Sequence, residues 1–110
     1  MFARLRSLLN KPAQDSTWPF DQAPNVAALT TRQVIEDGLP VLRVVHYSND
    51  DSWAFTCGTT SDSSDIRVVA MEEAVQIDRT LLCIASLPPG WGASRTDVGG
   101  EWEKYEAKSA

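Results

Sequence analysis

The sequence predicts an α+β domain: a small antiparallel sheet built from two hairpins, with short helices packed on one face. Three observations predict it. Val41 to Tyr47 and Ser52 to Cys57 are β-branched and aromatic segments around a turn-forming Ser48-Asn49-Asp50-Asp51. Trp91 to Thr96 and Glu101 to Tyr105 flank Asp97-Val98-Gly99-Gly100 in the same manner. The stretches on either side of the first hairpin carry helix punctuation.

Residues 1–24 read as an extended or partly helical lead-in. Phe2, Leu5, Leu8 and Leu9 share one side at helical spacing. A helix that short is marginal alone, so the reading is a frayed or domain-docked terminus. Asn10 to Val26 hold three prolines, with Trp18 and Phe20 expected to pin the lead-in to the body. The folded domain is expected over 25–106, with 107–110 as a disordered tail.

Thr30-Thr31-Arg32-Gln33 has the spacing of a capping box, and Gly38 supplies a C-terminal glycine. Together they predict a helix over 31–37, sealed by Pro40. In the first hairpin, a turn centred on Asn49-Asp50 sets His46 opposite Trp53, Val44 opposite Phe55 and Leu42 opposite Cys57. Those six side chains are expected to form a core wall. Val41, Arg43, Val45 and Tyr47, with Ser52, Ala54 and Thr56, form the other, more polar face. Thr59 to Asp65 reads as a loop and Ile66 to Val69 as a third strand. Met71 to Ile77 reads as a helix with Glu72 and Glu73 in its first turn, where the dipole favours acids. Asp78 caps a further helical turn through Leu82, Cys83 and Ile84, ended by Leu87-Pro88-Pro89-Gly90.

The chain has 110 residues, 43% of them apolar, enough for one core and too few for two. No apolar run approaches the ~18 residues of a membrane span. The net charge is −5. Arg4, Arg6 and Lys11, with no acid among them, give residues 1–11 a charge of +3, so residues 12–110 carry −8. That acidic body repels phosphate backbones, which disfavours nucleic acid, and steers a basic protein partner. Two cysteines do not make a disulfide framework. The basic residues at the start lie inside the apolar ones, which fails as a signal peptide, so a reduced, cytoplasmic protein is expected.

Few residue sets suggest chemistry. Cys57 pairs with Leu42, four residues from His46, so a Cys–His pair would be about 13 Å apart along the strand. Cys83, between Leu82 and Ile84, reads as an inert core thiol. The Cys and His residues together number three, fewer than the four ligands of a structural zinc site. Asp50-Asp51 and Asp62 to Asp65 lack the calcium-loop pattern and read as solvated turn acids. Glu72 with Glu73 and Glu101 with Glu103 read as exposed carboxylates, and the glycines as turns. The expectation is therefore no catalytic residue, no metal and no cofactor.

Trp18, Trp53, Trp91 and Trp102 are many for this length, and tryptophan and tyrosine favour interface hot spots. Trp53 is assigned to the core. Trp91 and Trp102 can pair across the second hairpin beside Glu101, Glu103 and Tyr105. These five residues are the candidate interface, an aromatic anchor rimmed by acid.

Asp50-Asp51-Ser52-Trp53-Ala54-Phe55-Thr56-Cys57-Gly58, Val68-Val69, Ile77-Asp78, Leu87-Pro88-Pro89-Gly90-Trp91 and Trp102 resemble a family of small bacterial proteins that carry an immunity-protein-like domain, some of them beside polymorphic toxins. The likeness covers roughly residues 26–103. Arg79 stands where that pattern has proline in Asp-Pro-Ser. The resemblance implies no catalytic residues; it implies an inhibitor that binds a toxin. The sequence thus predicts a non-catalytic protein-binding domain. The alternative is a small-ligand-binding domain with a pocket under the helices.

Overall fold

A computed structural model describes residues 18–60 and 62–107. The terminus read as frayed or domain-docked and the tail from 108 onward lie outside the described residues. Ala107, assigned to the tail, donates its N–H to the Gly90 carbonyl at 2.8 Å.

The chain forms β1 (Ala27–Thr31), α1 (Arg32–Ile35), β2 (Arg43–His46), β3 (Trp53–Thr56), β4 (Ile66–Ala70), α2 (Met71–Ile77), a 3-10 helix (Arg79–Ile84), β5 (Trp91–Ser94) and β6 (Glu103–Glu106). This is an α+β domain, but its sheet is larger than expected. Six strands run in the order β4-β1-β3-β2-β5-β6. The sheet is also mixed, because β1 lies parallel to β3 while every other neighbouring pair is antiparallel. The expectation of a small antiparallel sheet made of two hairpins is corrected by β1 and β4, which extend it on one side.

β2 and β3 pair in the register set by the Asn49-Asp50 turn, with His46 opposite Trp53 and Val44 opposite Phe55. The turn closes through Tyr47 N–H to the Ser52 carbonyl at 2.8 Å. Asp50 Oδ1 accepts from the Ser52 amide at 3.1 Å and hydroxyl at 2.6 Å. Asp51 adopts φ 64°, a left-handed conformation that aspartate tolerates better than most residues.

Thr31 precedes α1 with extended backbone and makes no side-chain cap. The capping box is absent because Thr30 belongs to β1 and spends its hydroxyl on the Phe55 carbonyl at 2.6 Å. The helix is also shorter than the 31–37 expected. Gly38, at φ 74°, turns the chain so that Leu39 N–H reaches the Gln33 carbonyl. At α2, Glu73 Oε1 accepts the Ala70 N–H at 2.7 Å. Asp78 caps the next segment through the Thr80 amide, as its position suggested, but that segment is a 3-10 helix.

One face of the sheet carries the core. Ala28, Val44, Trp53, Phe55 and Ala93 pack with Val34 of α1, with Met71, Ala74 and Val75 of α2, and with Leu81, Ile84 and Leu87. Phe20 joins them edge-on to Trp53, with Trp18 against it, so the lead-in is pinned as expected. Val41, expected on the polar face, is fully buried. It precedes β2, where strand alternation does not hold, and its carbonyl accepts two N–H groups of Arg95. Cys83 is exposed rather than in the core. A 3-10 helix turns every three residues, so Leu81 and Ile84 take the buried side and Cys83 does not.

Candidate functional site

The register of β5 and β6 decides how the five candidate interface residues lie. Trp91 is opposite Glu106, Gly92 opposite Tyr105 and Ser94 opposite Glu103. Side chains alternate along a strand, so Trp91 falls on the core side with Ala93, while Tyr105 and Glu103 fall on the other. The expected pairing of Trp91 with Trp102 is therefore corrected. Trp91 pairs in register with His46 of β2 at one end. Trp102 lies at the other end, with the Arg95 guanidinium 4.2 Å from its ring centroid. Both tryptophans are half-buried against the core.

Arg95 is a buried cation with four hydrogen bonds. Nε and Nη2 donate to the Val41 carbonyl, Nη1 to Thr80 Oγ1 at 3.0 Å and Nη2 to Asp78 Oδ2 at 2.5 Å. It ties β5 to the start of the 3-10 helix and to the stretch before β2. Glu101 and Glu103 line a polar depression of about 290 Å³ with Ser94, Arg95 and Thr96. Among the described residues neither glutamate is ion-paired.

Tyr105 covers Gly92. A methyl group at Gly92 would stand 2.6 Å from Tyr105 Cζ, so only glycine lets the ring lie there. The pair completes a row across all six strands: Val68, Leu29, Ala54, Val45, Gly92 and Tyr105 are successive partners. At a strand spacing of about 4.8 Å the row is about 24 Å long. Val68 is 67% exposed and Tyr105 38%, with Ile66 exposed beside Val68. The buried residues of both α-helices and of the 3-10 helix all belong to the opposite face. A sheet face turned to water is ordinarily polar, so this apolar row marks a surface. Sequence reading missed it because β1, which joins Val68 of β4 to Ala54 of β3, was not read as a strand.

The residues considered for chemistry are occupied structurally. His46 stacks on Trp53 at 4.1 Å, as expected. Its Nδ1 faces the Leu87 carbonyl and its Nε2 the Asp51 carboxylate, each at 2.7 Å. Cys57 is buried, with Sγ 2.9 Å from Thr59 Oγ1. Burial pushes that thiol up, but hydrogen bonds, chiefly from Thr59, outweigh it and hold it below the usual range. Asp65 accepts from Gln33 at 2.9 Å, Thr60 at 2.8 Å and Arg32 at 3.3 Å. Gln33 and Thr60, then Arg32, hold its carboxyl below the usual range. Ser52 does the same for Asp50.

A depression of about 500 Å³ opens beside the helices. Val34, Leu39, Ile77 and Val98 line it with Asp78 and Arg79. Among the described residues, no helix is long and apolar enough to cross a membrane. No family model, curated protein or solved structure matches the chain.

Proposed function

We propose that this chain is a non-catalytic protein-binding domain of the cytoplasm that recognises a basic protein through the β6 end of the open sheet face. Inhibition of a toxin, in the manner of immunity proteins, is its most specific form. The observation that carries the reading is Tyr105, held on the open face by Gly92 and flanked by Glu103. An exposed aromatic ring at the end of an apolar row, beside carboxylates with no ion-pair partner among the described residues, suits a partner presenting apolar and cationic side chains. Trp91 and Trp102 support this edge from the core side rather than supplying contacts. The engagement of His46 and Cys57 in structural contacts favours binding over catalysis.

Affinity capture from native lysate tests the reading. The wild-type chain should retain one stoichiometric partner at low salt. That partner should be lost from the Glu101→Lys/Glu103→Lys variant and weakened between ~50 and ~500 mM salt, where screening shortens to a few ångströms. An identical set of proteins on both chains, unaffected by salt, would remove the support.

A further inference from the structure

We propose that residues 2–9 of this chain dock on the β4–β1 end of its open sheet face, in the depression beside Asp50. The inference uses the opposite end of the row from Tyr105 and does not rest on the partner-binding reading.

The receiving surface is a depression of about 280 Å³ lined by Ala27, Ala28, Leu29, Asp50, Ser52 and Val68. Its walls are mostly apolar, and Val68 is the most exposed large apolar residue among those described. Asp50 is the one charged group in the lining. Asp50 is exposed, and both its hydrogen bonds with Ser52 fall on Oδ1. A fitting occupant is a short segment with apolar side chains on one side and a cation close by.

Residues 2–9 have that composition. Phe2, Leu5, Leu8 and Leu9 share one side at helical spacing, Arg4 and Arg6 lie between them, and residues 1–11 contain no acid. The chain also enters the domain at the right place. Trp18 Nε1 donates to the Gln22 carbonyl at 2.8 Å. Gln22 in turn donates to the Asp51 carbonyl and accepts from Trp53 Nε1, both at 2.8 Å. The stretch from Trp18 to Gln22 is thus fastened to the turn that carries Asp50. The eight residues between Leu9 and Trp18 span up to about 26 Å when extended, enough to pass round the end of the sheet. A tether that short sets an effective concentration on the order of millimolar, so a weak contact suffices.

Paramagnetic broadening in the full-length chain tests this. A spin label is placed at Ala3→Cys in a Cys83→Ser background, which leaves only the buried Cys57. The amide signals of Leu29, Ser52 and Val68 should lose most of their intensity, while those of Tyr105, Ala74 and Ile84 keep theirs. The loss should vanish in two further chains, Leu5→Glu/Leu8→Glu and Val68→Glu, with the core amides of Phe55 and Leu81 unmoved. It should persist in Glu101→Lys/Glu103→Lys, which separates this result from failure of the partner-binding reading. Absent or uniform broadening, or broadening on another surface, would overturn the proposal. Equal broadening of an unlabelled ¹⁵N chain mixed with a spin-labelled ¹⁴N chain would also overturn it and assign the face to a second copy.

Discussion

Asp51 and His46 are joined across the β2–β3 turn, with Oδ1 2.7 Å from Nε2. The contact joins a left-handed turn residue to a ring that also stacks on Trp53 and faces the Leu87 carbonyl. One carboxylate thus steadies the turn, the central strands and the segment entering β5. Asp51→Ala leaves the nearly buried ring without that partner and places alanine at φ 64°, so it should cost about 1–3 kcal/mol. Asp51→Asn keeps an acceptor and tolerates the backbone, and should cost less than about 1 kcal/mol. Urea unfolding of the two variants measures the difference; equal midpoints would mean that the contact contributes nothing.

Arg95→Met should be among the most damaging single changes. It leaves the half-buried Asp78 carboxylate unpaired, strips the Val41 carbonyl of two donors and removes the cation over Trp102. Breaking such a pair from one side costs about 3–5 kcal/mol. Asp78→Asn retains an acceptor for the Thr80 amide and should lose less. Guanidinium denaturation monitored by tryptophan fluorescence compares the two.

Gly92→Ala should displace the Tyr105 ring, because the added methyl occupies its place. Overpacking of this kind costs about 1–3 kcal/mol. Much of the cost should disappear in Gly92→Ala/Tyr105→Ala, where nothing remains to collide. A double-mutant cycle reads this directly: a coupling near zero would mean that ring and glycine do not share the space.

Asp65 gives the acid response a definite sign. Its carboxyl is held below the usual aspartate range in the fold, so the unfolded chain takes up this proton at higher pH than the folded one. The stabilisation is complete above the unfolded value, near pH 4, and drains away as pH falls through the folded value. Thermal melts over that range should show Tm falling with pH in the wild type and falling less steeply in Asp65→Asn.

The first hairpin was legible because its information is local. Asn49-Asp50 fixes the turn, the turn fixes the register, and each strand needs only its neighbour a few residues away. β1 was not legible. Ala27-Ala28 has little strand propensity, and the partners that make it a strand lie at 53–56 and 66–70. Without β1, Thr30 and Thr31 read as a helix cap, and nothing joined Val68 to the rest of the open face. Trp91, Trp102 and Tyr105 were recognisable as distinctive residues, but a one-residue difference in strand parity decides which face each takes. Apolar neighbours placed Cys83 in the core, but the 3-10 backbone turns every three residues and buries Leu81 and Ile84 instead.

The parallel pairing of β1 with β3 also separates the local contacts of the sheet from the non-local ones. β2 and β3 can zip locally as soon as their turn forms, and β5 can add to β2 once the 3-10 helix has closed. β1 appears earliest of the six in the chain, yet both its neighbours come later, β4 last of them at 66–70. During synthesis it has no strand to pair with until 53–56 has emerged, and its second edge stays open until 66–70 follows. The first strand of the chain thus lies between two later ones, so its pairings are the non-local contacts that slow folding.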